Sequence, residues 1–178
     1  YLMGKCSVET PTAPQRARIA AHISAMNDLA ASGPYVRGFV SELYAPVDTE
    51  NIDAGERCFY TQENAQIIDT LRAYIGTEVE PDLQPYCLVP LLNKASIHAN
   101  TSGVFKGFHS EDGVGKWGGA AARCLPRIKG SIQLDVPVWN TTSSFVGRAT
   151  RQDINTLIDT EFVDGGLDLV YLDPPYNQ

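Results

Sequence analysis

The chain has 178 residues, of which 43% are hydrophobic and 20% charged, the proportions of a globular protein with one sizeable core. Its formal net charge is −7, which argues mildly against a polyanionic partner. Cys6, Cys58, Cys87 and Cys124 form no C-x-x-C pair, and no apolar run is long enough to span a bilayer, so a zinc module and a membrane helix are both excluded as expectations. The opening YLMGKCSVETP has neither a signal-peptide pattern nor an initiator Met. It reads as the start of an excised segment, with free thiols in a reducing cytoplasm as the expected setting.

Thr12 and Pro14 open a helical stretch in which Ile19, Ile23, Met26 and Ala30 recur at helical spacing, and Ser32-Gly33-Pro34 ends it. Tyr35 to Arg57 is irregular. A second helix starts after Tyr60, with Thr61 as N-cap and Ile67, Leu71 and Ile75 on one stripe, and Gly76 closes it. A third runs from about Leu88 to His98, burying Leu88, Leu91, Leu92 and Ala95, with Pro90 tolerable only in its first turn. His22 and His98 fall within these helices and read as structural, and no metal cluster is expected.

Asn100 to Ala120 holds six glycines together with Phe105, Phe108, Trp117 and basic side chains. Long loops of this kind carry function or are glycine-rich connections whose aromatics pack on the domain, and both readings stand. From Lys94 to Arg151 eight basic residues face only Glu111, Asp112 and Asp135, a local positive excess on an acidic chain. A duplex responds to the local field, which makes Lys106, Lys116, Arg123, Arg127 and Lys129 candidate phosphate contacts; the plainer reading is a solvated face. Ile132, Leu134, Val136 and Val138 alternate as a strand, with Pro137 confining it to an edge, and Ser144 to Thr150 reads as another. Asp153 precedes a short helix marked by Ile154, Leu157 and Ile158, either as its N-cap or as an acceptor for a cofactor's amino group.

The last twelve residues, LDLVYLDPPYNQ, give an apolar run ending abruptly at Asp173-Pro174-Pro175-Tyr176. Such a run fits a strand covered on both faces, and ligands of open α/β sheets sit beyond the carboxyl ends of strands. The chemistry suited to this constellation is methylation of an exocyclic amino nitrogen. That nitrogen is a poor nucleophile because its lone pair is delocalised into the ring. The Asp173 carboxylate and the Pro174 carbonyl can each accept one of its N–H groups as positive charge develops. Two prolines stiffen the turn, and the Tyr176 ring offers a face for an extruded base. The alternative is a Pro-Pro turn with Tyr176 merely buried.

Three segments in order carry a resemblance: Tyr60-Thr61-Gln62-Glu63-Asn64-Ala65 with Ile68-Asp69 and Leu71-Arg72; Ala99-Asn100-Thr101-Ser102-Gly103-Val104-Phe105; and Val170 to Asn177. Over roughly Arg57 to Gln178 the chain resembles the Dam-like class of adenine N6-specific DNA methyltransferases, which use S-adenosylmethionine. The resemblance implies an α/β fold: part of a doubly wound sheet with a largely helical insertion. Residues 1–130 would form a helical, glycine-loop region for target recognition, and 131–178 part of the catalytic core. It implies Asp173, Pro174 and Tyr176 as catalytic residues and Asp153 as the contact to the cofactor's adenine. Double-stranded DNA would be the partner, with a restriction endonuclease as a candidate second one, and no membrane. The family's F-x-G-x-G cofactor loop does not occur in this chain, so the expectation is a piece that is incomplete as an enzyme. An RNA amino-methyltransferase and a non-catalytic DNA-recognition module are the alternatives.

Overall fold

A computed structural model describes residues 1–103, 105–119, 123–142 and 147–161, together with Leu169 and Tyr171. About half of these residues are helical, and a two-stranded antiparallel sheet makes the fold mixed α/β. The elements are α1 (Leu2–Val8), α2 (Ala13–Ser32), α3 (Phe39–Leu43), α4 (Gln62–Glu78), α5 (Gln84–His98), β1 (Ser110–Glu111), β2 (Val114–Gly115), α6 (Leu125–Ile128) and α7 (Ile154–Glu161).

Local chemistry sets the ends of the long helices. The Thr12 hydroxyl accepts the Gln15 amide while the Gln15 side chain accepts the Thr12 amide, a reciprocal cap with Pro14 in the first turn. Gly33, at φ 66°, stops α2 where a side chain would be strained. Thr61 caps α4 by accepting the Asn64 amide. α4 runs two residues past Gly76, which lies within the helix instead of closing it.

Ile19, Ile23 and Met26 of α2, Ile67, Leu71 and Ile75 of α4, and Cys87 and Leu91 of α5 form the centre of the core. α4 packs on α2, α3 and α5, and α5 also packs on α1 and α6. α5 begins four residues before the expected Leu88, so Pro90 lies in its interior. Its buried residues include Tyr86, Cys87, Val89, Pro90 and Leu91, while Leu92 faces solvent, because the helix is covered by neighbours on more than one side.

Two extended stretches depart from the strand expectation. Ile132 and Leu134 point into the core as the alternation demands, but 131–138 has no ladder partner. Its cross-link is a side chain: Asn27 Nδ2 donates to the Leu134 carbonyl at 3.0 Å, and Asn27 Oδ1 accepts the Leu134 amide at 2.7 Å. One amide thus does what a neighbouring strand would do. Beyond it the alternation has no consequence, and Val138 is 97% exposed. Of the second expected strand, 147–150 forms no ladder and lies along α1, with the Ala149 amide donating to Glu9; 143–146 fall outside the described residues. No doubly wound sheet is formed by the described residues. The irregular stretch 35–57 contains α3, whose first turn is held by the Asp69 carboxylate of α4 accepting the Val40 and Ser41 amides at 2.9 and 2.8 Å.

Candidate nucleic-acid interface

The start of α4 and the glycine-rich stretch meet at Asn100, which is fully buried. Its amide donates to the Phe59 carbonyl at 2.7 Å, and its carbonyl accepts the His109 amide at 3.2 Å. Its Nδ2 donates to the carbonyls of Cys58 and Lys116, at 2.9 and 3.1 Å, and its Oδ1 accepts the Gly118 amide at 3.0 Å. A single residue, through its backbone and its side chain, therefore ties three segments, 58–59, 109 and 116–118. The chain leaves this point at Thr101 and is back at it by His109.

Beyond His109 the chain makes a hairpin, with Ser110 opposite Gly115 and Glu111 opposite Val114. Asp112 at φ 50° and Gly113 at φ 83° are the two positive-φ residues that a tight two-residue turn needs. Gly115 passes so close to Cys58 that a Cβ there would lie 2.4 Å from the Cys58 Cβ. The covered Cys58 thiol is pushed up to about 12 by burial, against a lowering contribution from Asn100.

A second set of bonds closes the far end of the stretch. The Arg127 guanidinium donates to the Ile97 carbonyl, to Ala99 O at 2.9 Å and to Thr101 O at 3.4 Å, capping the C-terminal end of α5. His98 Nδ1 lies 2.6 Å from the Arg127 carbonyl, so the neutral ring donates there. Burial, and then the Lys94 and Arg127 charges, hold the His98 pKa below its ordinary value, opposed by that bond. Asn64 of α4 donates to the Ile128 and Gly130 carbonyls at 3.1 and 3.0 Å, capping α6 from the side.

The five cations expected at phosphates are not equivalent. Arg127 is engaged with three carbonyls. Lys116 pairs with Glu111 at 2.5 Å and Lys129 with Glu50 at 2.9 Å. Lys106 and Arg123 are exposed and make no ion pair among the described residues. Asp153 caps α7, its Oδ1 accepting the Asn155 and Thr156 amides at 2.9 and 3.3 Å. Asp173, Pro174 and Tyr176 lie outside the described residues. Among the described residues no group of three His, Cys, Asp or Glu side chains is placed to hold a metal ion.

A row of rings adjoins the Asn100 junction. Phe39 lies 5.5 Å from Tyr44, Tyr44 lies 5.7 Å from Phe59, and Phe59 is near-parallel to Phe105 at 6.3 Å and edge-on to Phe108 at 5.1 Å. The Tyr44 carbonyl accepts both the Phe59 and Tyr60 amides, which fixes the row to the start of α4. The Arg57 guanidinium sits 5.3 Å from the Tyr44 ring centre. Phe105 and Phe108 carry a sequence signal, as aromatics among glycines next to lysine. Phe39, Tyr44, Phe59 and Arg57 carry none, because their meeting depends on how 38–44 folds back onto 57–60.

Comparison of the chain with protein-family models, with curated proteins and with solved structures gave no match.

Proposed function

We propose that the protein transfers a methyl group from S-adenosylmethionine to the N6 amino group of adenine in DNA. The observation that carries this reading is the strand-like run ending in Asp173-Pro174-Pro175-Tyr176, an acceptor set suited to an exocyclic amino group. Supporting it is the convergence of the other two segments of the resemblance: Asn100 is bonded to Phe59, one residue before the Tyr60 segment begins. In the full reading, residues 131–178 contribute to a doubly wound sheet, and the helical part with its glycine-rich stretch recognises the duplex.

The bound cofactor would supply an electrophilic methyl on a sulfonium. Asp173 and the Pro174 carbonyl would hold the amino group by accepting its two N–H bonds, and Tyr176 would stack on the extruded ring. Asp153 fits a cofactor contact: its side chain is exposed, and its second oxygen accepts no hydrogen bond from a described residue. Lys106 and Arg123 would meet phosphates.

Incubation with radiolabelled S-adenosylmethionine and duplex DNA, followed by nucleoside analysis, is expected to give N6-methyladenine. Asp173→Ala is expected to cost on the order of 3 kcal/mol or more in the barrier while leaving DNA affinity near normal. Label appearing only in structured RNA, or a mutant with near-normal turnover, would overturn the reading.

A further inference from the structure

We propose that the row Phe39–Tyr44–Phe59–Phe105 is a stacking surface for the unpaired bases of a DNA strand. This rests on the nucleic-acid reading above, and it is carried by residues other than those of the Asp173–Tyr176 motif.

Phe39 and Phe105 are the two ends of the row, 64% and 56% exposed, while each keeps one side against the next ring. Scattered apolar side chains on a surface call for no explanation, but a connected row with two bare ends does. Stacking on aromatic rings is tolerant of base identity, because every base has a π face.

Charge separates this surface from one made for an apolar protein partner. Arg57 lies over the Tyr44 ring, Lys106 directly follows Phe105, and Arg37 stands two residues before Phe39. Arg37 and Lys106 make no ion pair among the described residues. Three carboxylates of the adjoining segments keep their charge but turn oxygens toward backbone amides. Glu56 accepts the Val47 and Asp53 amides, Asp69 the Val40 and Ser41 amides, and Asp48 the Glu50 amide. Glu42 is exposed in the cleft that Arg37 and Arg57 also line, and marks a side from which phosphates are repelled. Rings for bases beside cations for phosphates are the two requirements of a single-strand surface.

A duplex hides its base faces in its own stack, so the ligand is a strand with unpaired bases. Extraction of a base for modification opens the pairing locally and supplies such bases.

The test compares two ligands by fluorescence anisotropy: a labelled thymidine oligodeoxynucleotide and an abasic phosphodiester of the same length and charge. The wild-type chain is expected to bind the base-bearing strand about tenfold more tightly, the scale of a base–aromatic stack. Phe39→Ala and Phe105→Ala are each expected to remove about fivefold or more of that preference and leave abasic binding unchanged. Both rings are largely exposed, so the helical circular dichroism should be retained. Equal affinity of the wild-type chain for the two ligands overturns the proposal without any variant, as does an unchanged preference in both folded variants. Adenine methylation without base-dependent strand binding would remove this inference alone, and base-dependent binding without methylation would remove the activity alone.

Discussion

Removing the Asn100 side chain leaves the Cys58 and Lys116 carbonyls and the Gly118 amide without that partner in a place from which water is excluded. Buried polar groups left unpaired cost about 1–3 kcal/mol each, partly relieved by relaxation. Asn100→Ala is therefore expected to lower the unfolding free energy by about 3 kcal/mol, read from urea denaturation, and a loss below about 1 kcal/mol would show that the junction repacks. His98 makes a pH-dependent contribution of the opposite kind to that of a salt-bridged histidine. Its folded pKa is depressed below the ordinary value of 6.5, so the unfolded chain binds the proton more readily. Its contribution is present above 6.5 and lost as pH falls through that value toward the folded pKa. The urea midpoint should decline between pH 7 and pH 5, and His98→Gln should flatten that part of the decline. The sequence marks Asn100 only as part of the Ala99–Phe105 segment of the resemblance and does not show its structural role. Its bonds go to partners chosen by the tertiary fold.

Helices α2 and α4 are legible almost residue by residue, because caps and stripes are local. Thr12, Thr61 and the buried set Ile19, Ile23, Met26 and Ala30 all lie where the sequence puts them. The stretch 131–138 shows the limit of periodicity. Alternation specifies an extended chain with one buried side, and it says nothing about what pairs with the backbone. Here Asn27 takes that place from a helix. The hairpin has a real signal in Asp112-Gly113, but its strands are two residues long and too polar for alternation to mark them. Gly115→Ala would place a methyl against Cys58 across a 2.4 Å gap, so the hairpin must shift or lift. Overpacking of this kind costs about 1–3 kcal/mol. A red shift of Trp117 emission should accompany it, since the Trp117 indole donates to the Thr49 carbonyl at 2.8 Å and would be pulled from that site.

At the scale of the whole molecule, a net charge of −7 says little about where a polyanion would sit, and the position of each cation says more. The sequence shows an excess of basic residues over 94–151, but it does not show which of them the fold consumes. Arg127 is held by backbone carbonyls and Lys116 and Lys129 are paired with surface carboxylates, while Lys106 and Arg123 are left to solvent. Each phosphate contact contributes roughly −0.9 to the log–log salt slope on duplex DNA. Neutralising Lys106 and Arg123 together should therefore flatten the slope by about 1.8. Arg127→Gln should lower the melting temperature and leave the slope unchanged. A reversed pattern would mean that the Arg127 clamp opens on binding. The described apolar surface is also uneven. α2 and α4 bury their stripes, whereas Ile154 and Ile158 of α7 are half exposed and α7 packs on no other described element. Sequence periodicity finds α7 as readily as the core helices, since a stripe specifies a helix whether or not something covers it.

The close passage of Gly115 over Cys58 turns that thiol into a clock. While the hairpin is down the sulfur is covered and its burial-raised pKa leaves almost no thiolate, and both protections go when the hairpin lifts. Cys124, half-buried, should be alkylated first, with Cys58 following at a rate set by how often the 109–118 segment opens. A ligand that holds the hairpin down should slow the Cys58 step and leave the unfolded chain's reactivity unchanged. Mass spectrometry of a timed alkylation would then report engagement of this segment with no label attached to either partner.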